Sequence, residues 1–227
     1  MINKRSVLGV ITARGGSKGV PKKNVRKVAG KPLVAWTIEV AQRSRYIDRL
    51  VASTDDDLVS QVALSFGCEV PYRRSPELAA DNTSSIDVVL DVLDRLPEYD
   101  YVVLLQPTSP LRRVEDIDGA LELCEYSSAP ACVSVCRVTE SPYWMFTMMQ
   151  GCRLSPLMQN VPQRRQELPP VYALNGAVYV AKTSWFRMER SFLTAETVGY
   201  EMPVERSLDI DTEEDIYLAE YHLRSAV

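Results

Sequence analysis

The chain has 227 residues, 46% of them hydrophobic, and a formal net charge of -4 from 26 basic and 30 acidic side chains. These values predict one globular α/β domain and argue against a general nucleic-acid-binding protein, which usually carries a basic surplus. No apolar run reaches the ~18 residues of a membrane-spanning helix, and residues 1–16 lack the cleavage site of a secretory signal, so we expect a cytoplasmic protein with no membrane partner.

Apolar runs alternate with helical periodicities along the first 138 residues. Parallel strands that are covered on both faces read as continuous apolar runs, whereas amphipathic helices place apolar residues three or four positions apart. The predicted strands span 7–11, 48–54, 101–106 and 131–138, and the predicted helices span 32–44, 55–67, 83–96 and 114–126. This order predicts a doubly wound, mostly parallel α/β sheet of the Rossmann-like type, in a single domain covering residues 1–227.

Residues 139–173 interrupt this alternation, because they contain several prolines and show no clear period. The stretch is too long for a passive loop in a compact domain, so we interpret it as a lid or as an arm that packs on a partner subunit. Met145, Phe146, Met148 and Met149 would be costly to expose to water, and the alternative is that they fill a small local core. A strand over 175–182 and a helix over 212–226 complete the prediction.

The cysteines and the single histidine narrow the possible chemistry. His222 lies in the predicted last helix, where a surface position is expected, so neither a Cys/His nor a Ser/His/Asp mechanism is favoured. Any metal would be held by carboxylates, which favours Mg²⁺ or Mn²⁺. The cysteine number is odd and no CxxC pair occurs, which is typical of reduced thiols in a cytosolic protein; the cysteines are Cys68, Cys124, Cys132, Cys136 and Cys152.

The segment TARGGSKGVPKKN, residues 12–24, follows the first predicted strand. Backbone N–H groups of a glycine-rich turn at this place can point at a phosphate. Neither the Walker A pattern nor the dinucleotide fingerprint is present. We interpret the segment as a polyphosphate-binding loop, and the alternative is a solvated basic turn. No acid occurs between residues 12 and 27, and the basic side chains there are Arg14, Lys18, Lys22, Lys23, Arg26 and Lys27.

The segment SLDIDTEEDI, residues 207–216, carries two closely spaced carboxylates. Asp209 and Asp211 alternate around one residue, so an extended backbone places both on one face. Two such carboxylates repel each other unless a cation lies between them, and Mg²⁺ carrying triphosphate oxygens is the natural candidate. The alternative is helix capping, in which Asp211 or Thr212 caps the last helix with Glu214 or Asp215 completing a capping box.

Two further segments offer polar side chains near predicted strand or helix ends. LLQPTSPLRR, residues 104–113, leaves the carboxyl end of a central strand, where α/β sheets bind ligands. RRSPELAADNTSS, residues 73–85, has serines and an arginine that suit a ribose or a base. The alternatives are a proline-bounded turn for the first segment and a helix N-cap for the second.

With these segments in view, the chain resembles the CMP-sialic acid synthetases (acylneuraminate cytidylyltransferases), which include CMP-legionaminic acid synthetases. The resemblance covers nearly the whole chain. It depends on ARGGSKGVPKKN, RRSPELAADNTSS, LLQPTSPLR, RRQELP, NGAVYV and LDIDTEEDI, which occur in the order of the family. Each segment is weak evidence alone, and together they are highly specific.

The resemblance implies transfer of CMP from CTP to the anomeric hydroxyl of a nine-carbon 2-keto sugar acid, with release of pyrophosphate. It also implies a homodimer in which residues 139–173 form the dimerisation arm and one subunit completes the sugar site of the other. The implied nucleotide contacts are Arg14, Gly15, Ser17, Lys23, Asn24, Arg74 and Ser85. The implied sugar contacts are Gln106, Arg165 and Asn175; the metal ligands are Asp209 and Asp211; and the catalytic side chains are Arg14, Lys23 and Asp211.

Three hypotheses stay open from the sequence. The first is the cytidylyltransferase, acting on N-acetylneuraminic acid, legionaminic acid or a related nonulosonic acid. The second is a glycosyltransferase with a DxD metal site, which would place that motif after a middle strand and not near the C-terminus. The third is a non-catalytic nucleotide sensor, which would need phosphate contacts but no paired carboxylates.

Overall fold

The computed structural model describes residues 1–17, 19–159, 161–162 and 164–225. Within these residues the helices are α1 (Leu33–Gln42), α2 (Asp57–Ser65), α3 (Ser85–Arg95), α4 (Val114–Tyr126), α5 (Thr183–Glu189) and α6 (Glu213–Ser225). The strands are β1 (Val7–Thr12), β2 (Lys27–Val28), β3 (Lys31–Pro32), β4 (Arg49–Ser53), β5 (Tyr101–Leu105), β6 (Ala131–Arg137), β7 (Phe146–Met148), β8 (Leu154–Pro156), β9 (Tyr172–Lys182) and β10 (Val198–Glu201).

Every predicted strand and helix is present, with ends that differ by a few residues, and residue 226 of the predicted last helix lies outside the described residues. The sequence did not predict the two short strand pairs, β2–β3 and β7–β8, and in the main α/β layers it did not predict α5 or β10. Both are short, at seven and four residues, so neither repeats a periodic pattern often enough to stand out. Among the described residues, no helix has both the length and the apolar character needed to cross a membrane.

The main sheet has six strands in the order β10-β6-β9-β5-β1-β4. β1 pairs in parallel with β4 and β5, and β10 pairs in parallel with β6, whereas β9 runs antiparallel between β5 and β6. The register of β6 against β9 shifts between Val133, which pairs with Tyr179, and Val135, which pairs with Leu174; the extra residues, 175–178, form a bulge on β9. The predicted doubly wound, mostly parallel sheet is confirmed, and the carboxyl ends of β1, β4 and β5 meet at one edge.

Helices cover both faces of this sheet, and β1 contributes to both cores. Val7 and Ile11 pack in the core that α1, α2 and α4 form on one face. Leu8 and Val10 pack on the other face, in the core formed with α3 and α5. All four side chains are fully buried. This two-sided burial explains why the strand reads as a continuous apolar run.

A smaller apolar cluster joins the two ends of the chain. Val20 lies in the loop after β1 and Ile210 precedes α6, and the two side chains share a cluster with Val28, Leu33 and Ile216. Val20 and Ile210 are both fully buried. The cluster therefore holds the glycine-rich N-terminal loop beside the acidic segment that leads into the last helix.

The arm, residues 139–173, contains an antiparallel hairpin of β7 and β8. Its apolar side chains lie at the surface of the single chain, and Met148 is 73% exposed. The alternative that they fill a local core is therefore not supported. The large apolar side chains that the arm exposes include Trp144, Met145, Phe146, Met148, Met149, Leu154, Leu157 and Met158.

Candidate active site

A cavity of about 440 Å³ lies where β1 and β5 end. Thr12 is the last residue of β1 and Gln106 follows β5, and both contribute to its wall. This is the edge of an α/β sheet at which ligands bind. The remaining lining residues come from the glycine-rich loop, the segment before α3 and the start of α3 itself, the loop after β5 and the acidic segment before α6; they are Arg14, Gly16, Ser17, Gly19, Lys23, Asn24, Arg74, Leu78, Ala80, Asp81, Thr83, Ser85, Val88, Pro107, Thr108, Asp209 and Asp211.

The glycine-rich loop is folded by contacts among its own side chains. Asn24 is buried, and its Nδ2 donates to the Arg14 carbonyl oxygen at 2.8 Å. The Ser17 hydroxyl donates to the Val20 carbonyl oxygen and accepts from the Lys23 N–H at 3.2 Å. These contacts curl the chain so that Arg14, Ser17 and Lys23 face one cavity.

Lys23 joins the loop to the acidic segment. Its Nζ donates to the Ile210 carbonyl oxygen at 2.7 Å and to Asp211 Oδ1 at 3.0 Å, and only 15% of its side chain is exposed. The backbones also approach closely, because a Cβ at Gly19 would lie 2.1 Å from the Asp211 carbonyl oxygen. Glycine is therefore required at position 19 by the proximity of the C-terminal segment.

Fewer loop cations reach the cavity than the sequence offers. Arg26 pairs with Glu213 at 3.2 Å, and neither Lys22 nor Lys27 lines the wall. Lys18 lies outside the described residues. Among the described basic side chains of residues 12–27, those that line the cavity are Arg14 and Lys23.

Gly15 is next to the cavity and does not line it. Its N–H donates to Asp55 Oδ1 at 3.0 Å, on the side of the loop that packs on the start of α2. A Cβ there would lie 2.6 Å from Asp56 Oδ2. The structure thus uses this glycine for close packing of the loop.

The carboxylates of Asp209 and Asp211 do not cap the last helix. Thr212 and Asp215 form the capping box of α6: the Asp215 carboxylate accepts from the Thr212 N–H at 2.7 Å, and the Asp215 N–H donates to the Thr212 hydroxyl at 3.3 Å. The capping by Thr212 and Asp215 that the sequence offered is thus present, and Asp209 and Asp211 still line the cavity, so the two interpretations of the segment are compatible.

The surroundings of Asp209 disfavour the ionised form of its carboxyl group. Burial raises the pKa of its carboxyl, and the neighbouring Asp211 charge raises it further, although a hydrogen bond with Thr108 and the charge of Lys23 oppose the shift. Solvent reaches this side chain through the cavity, yet the surrounding protein desolvates it enough to disfavour its charge. A cation bound between the two carboxylates would relieve that cost.

The segment before α3 and the first turn of α3 supply another wall of the cavity. Ser84 is the N-cap of α3, and its hydroxyl accepts from the Asp87 N–H at 3.1 Å. Ser85 is then left to line the cavity. Arg74 is 4% exposed, and its guanidinium donates to the Ser53 hydroxyl at 3.2 Å and to the Ser53 carbonyl oxygen. Burial lowers the pKa of Arg74, so an acceptor supplied by a ligand would be favourable.

Arg112 fixes the loop after β5 from beneath. Its guanidinium donates to the Gln106 carbonyl oxygen at 3.2 Å, to the Ala177 carbonyl oxygen at 2.6 Å and to the Thr37 hydroxyl at 2.6 Å. Complete burial lowers the pKa of Arg112 to about 9. Arg112 does not line the cavity, so we interpret it as an internal support for the backbone at Gln106 and not as a ligand contact.

Arg165 and Asn175, the other two predicted sugar contacts, do not line the cavity. Arg165 begins an exposed 3-10 helix, Arg165–Glu167, in the arm. Asn175 is 4% exposed and its side-chain amide is hydrogen-bonded within the protein. Of the predicted site residues, the cavity collects Arg14, Ser17, Lys23, Asn24, Arg74, Ser85, Gln106, Asp209 and Asp211.

Sequence reasoning did not predict two contacts that shape the site. Asp81 Oδ1 accepts from Arg14 Nη1 at 2.7 Å, and both residues line the cavity. The Thr108 carbonyl oxygen accepts from the Ile210 N–H at 2.8 Å and so docks the acidic segment on the loop after β5. Neither pairing has a sequence signal, because the partners lie 67 residues apart in the first case and come from separate segments in the second.

The donor set can bind a polyanion together with a divalent cation. Arg14, Lys23 and Arg74 supply positive charge, and Asp209 and Asp211 supply oxygen ligands of the kind that Mg²⁺ prefers. In the described part of the chain, no group of three or more His, Cys, Asp or Glu side chains is arranged to hold a metal. The pair thus fits a cation that also takes ligands from a bound phosphate chain.

Comparison with known proteins agrees with this geometry. The cytidylyltransferase family model matches residues 8–149. CMP-N,N'-diacetyllegionaminic acid synthase of Legionella pneumophila subsp. pneumophila is 38% identical over 94% of this chain and 94% of its own length. N-acylneuraminate cytidylyltransferase of Streptococcus agalactiae serotype III is 36% identical over 94% of this chain, which spans about half (52%) of that longer relative.

Among solved structures, this chain is similar to CMP:2-keto-3-deoxy-manno-octonic acid synthetase complexed with CTP, with a TM-score of 0.74. The matched region covers 98% of this chain and 100% of the synthetase chain. At 17% identity this likeness shows a common fold. The family match and the close relatives show more than the fold. The chain belongs to the cytidylyltransferase family, whose members are CTP-dependent nucleotidyltransferases.

Proposed function

We propose that this protein transfers CMP from CTP to the anomeric hydroxyl of a nonulosonic acid, N-acetylneuraminic acid or a legionaminic acid, and releases pyrophosphate. One observation carries the proposal: Arg14 and Lys23 share a cavity with Asp209 and Asp211 at the carboxyl ends of β1 and β5. The names of the relatives from Legionella and Streptococcus support the sugar class. The same family membership argues against the DxD glycosyltransferase and the nucleotide sensor.

In this proposal the glycine-rich loop binds the triphosphate. Lys23 and Arg14 offset the negative charge that grows on the pyrophosphate as it leaves, which is the main way that proteins accelerate phosphoryl-type transfer. Ser17, Asn24 and the backbone near Gly15 shape the loop around the phosphates. Lys23 leaves Asp211 when the triphosphate arrives, because the phosphate oxygens are stronger partners for its ammonium group.

Asp209 and Asp211 are the proposed ligands of Mg²⁺, or of Mn²⁺ in its place. When bound, the cation neutralises phosphate charge and orients the triphosphate. The raised pKa of Asp209 supports this assignment, because a carboxyl that is costly to ionise in the free protein gains most from a neighbouring cation.

The chemical step forms one bond and breaks one. The anomeric oxygen of the sugar bonds to the α-phosphorus of CTP, and the bond from that phosphorus to the bridging oxygen of the pyrophosphate breaks. The hydroxyl proton passes to a carboxylate in the cavity, for which Asp211 is our candidate. Arg74 and Ser85 hold the cytosine and ribose, and Gln106 meets the sugar.

The arm is proposed to form a homodimer. Its exposed apolar surface, which includes Phe146 at 49% and Met149 at 57% exposure, is the kind of patch that a partner subunit covers. Arg165 lies on the same arm and outside its own cavity, so we propose that it reaches the sugar carboxylate in the partner's site. A cytoplasmic location is supported by the free thiols, three of which are buried.

The test measures pyrophosphate release from CTP and Mg²⁺ with a panel of nonulosonic acids that includes N-acetylneuraminic and di-N-acetyllegionaminic acid. Turnover with at least one member is expected, and Asp209→Asn and Asp211→Asn should each abolish most of it. Asp57→Asn is the matched control, since Asp57 pairs with Arg73 at the surface. Binding of CTP without turnover of any sugar, or full activity in both site variants, would refute the proposal.

A further inference from the structure

Asn175 has no hydrogen-bonding capacity left for a ligand. Its Oδ1 accepts from the Ser134 hydroxyl at 2.6 Å and from the Ala177 N–H at 3.2 Å. Its Nδ2 donates to the Ser207 hydroxyl at 2.9 Å and contacts Met202 Sδ at 3.3 Å. An asparagine side chain offers two acceptor positions and two donor hydrogens, so the protein occupies all of them.

The polarity of these contacts is fixed by their partners. The Ala177 N–H can only donate, so the atom that faces it must be the amide oxygen of Asn175. The Ser207 hydroxyl donates its single hydrogen to the Pro203 carbonyl oxygen at 2.8 Å, so it must accept from the amide nitrogen. The side chain therefore has one orientation, and that orientation links the bulge of β9 to Ser207.

Ser207 is the start of the segment that carries the carboxylates. Two residues later Asp209 lines the cavity, and the next residue, Ile210, is fully buried and donates its N–H to the Thr108 carbonyl oxygen. Asp209 thus lies between two anchors, the bond from Asn175 to Ser207 on one side and the Ile210 bond on the other. Gly176 also lies near the carboxylate, since a Cβ added there would be 3.6 Å from Asp209 Oδ2.

We propose that Asn175 is a positioning residue for the metal ligand Asp209, acting through Ser207, in place of the sugar contact that its family resemblance implies. The inference depends on the proposed metal role of Asp209. A carboxylate held between two anchors keeps its direction toward the cation without a reorganisation cost. Loss of the Ser207 anchor lets the segment drift, and partners of this kind typically contribute 10- to 100-fold to metal affinity.

The test uses Ser207→Ala, Asn175→Ala and a matched Ser44→Ala control. Ser44 has equivalent chemistry far from the cavity, because its hydroxyl donates to Asp118 Oδ1 at 2.6 Å. Calorimetry gives each protein's dissociation constant for CTP with EDTA and for the Mg²⁺–CTP complex. The ratio of these two dissociation constants measures how much Mg²⁺ contributes to the affinity for CTP. The KM of the sugar is measured on the same proteins.

We expect Ser207→Ala and Asn175→Ala to weaken binding of Mg²⁺–CTP by about tenfold or more, with metal-free CTP binding and the sugar KM within about twofold of wild type. Ser44→Ala should change none of the three. Equal weakening of both forms of CTP would indicate a merely structural role and overturn the inference. A raised sugar KM in Asn175→Ala alone, with the metal ratio unchanged, would also overturn it and favour the sugar contact.

These outcomes are separate from a failure of the proposed function. A wild-type protein that releases no pyrophosphate with any sugar contradicts the proposed function. If the wild-type protein is active and Ser207→Ala has the same ratio of dissociation constants for metal-free CTP and Mg²⁺–CTP as the wild type, only this inference is contradicted.

Discussion

Replacing Gly176 by alanine tests the packing between the bulge of β9 and the cavity. Gly176 has a φ of +73°, and a Cβ there would lie 2.8 Å from Gln106 Oε1. The left-handed backbone costs a residue with a side chain about 1–2 kcal/mol, which should lower Tm by about 2–4 °C for each kcal/mol in a protein of this size. The steric term falls on a flexible side chain, so it should add little to the loss of stability.

The effect on activity comes from the displacement of Gln106. Ordinary van der Waals contact begins at 3.4 Å, so the Gln106 amide must retreat by roughly 0.6 Å from its 2.8 Å contact. Since a misplacement of about 1 Å in an active site can cost on the order of 100-fold, we expect kcat/KM for the sugar to fall roughly tenfold. The assays are thermal unfolding followed by circular dichroism and steady-state pyrophosphate release.

Gly30→Ala is the control that separates the two effects. Gly30 has a φ of +84° in the turn between β2 and β3, and nothing lies within 4 Å of the Cβ that it would gain. The control should lose similar stability and keep full activity. If Gly176→Ala is as active as Gly30→Ala, the idea that Gln106 meets the sugar is wrong; if neither variant is destabilised, the argument from backbone strain is wrong.

Three further predictions follow from the site and the arm. Arg14→Ala should lower turnover by roughly 100- to 1,000-fold, as expected when a positive charge that stabilises the transition state is lost. The control variant Arg95→Ala, on α3, should leave turnover unchanged. A loss below about fivefold for Arg14→Ala in the pyrophosphate assay would contradict the role proposed for Arg14. Asp209→Asn should raise the Tm of the metal-free protein near neutral pH, because the raised pKa of Asp209 means that its ionisation lowers the stability of the folded protein. The gain in Tm should vanish as the pH falls below about 3.8, where the carboxyl is protonated in both the folded and the unfolded protein. A gain in Tm that is constant with pH would contradict the assignment of the effect to the Asp209 charge. Sedimentation at micromolar concentration should show a dimer. Met148→Glu in the arm should dissociate it, whereas Met188→Glu should not, even though the two methionine side chains are similarly exposed in the single chain, at 73% and 71%. A monomeric wild-type protein would refute the proposed dimer.

Periodicity and composition along the chain were sufficient to predict the layered α/β fold and the segments that form the site. Residues 7–11 of β1 and 101–105 of β5 are buried on both faces of the sheet, so each strand is visible in the sequence as a continuous apolar run. The glycine-rich loop and the acidic pair also stand out, because their composition is unusual over a short distance. These signals are local in the chain, which is why reading along it suffices.

Which residues of each segment face the cavity could not be predicted in this way, because it depends on how distant segments pack together. Ser84 caps α3 and leaves Ser85 for the cavity, and Thr212 caps α6 and leaves Asp211. Asn175 is used internally, although its neighbours in sequence gave no sign of this. Such choices depend on hydrogen bonds between residues far apart in the chain, and a pattern of residue types does not specify which distant partner satisfies a given polar group.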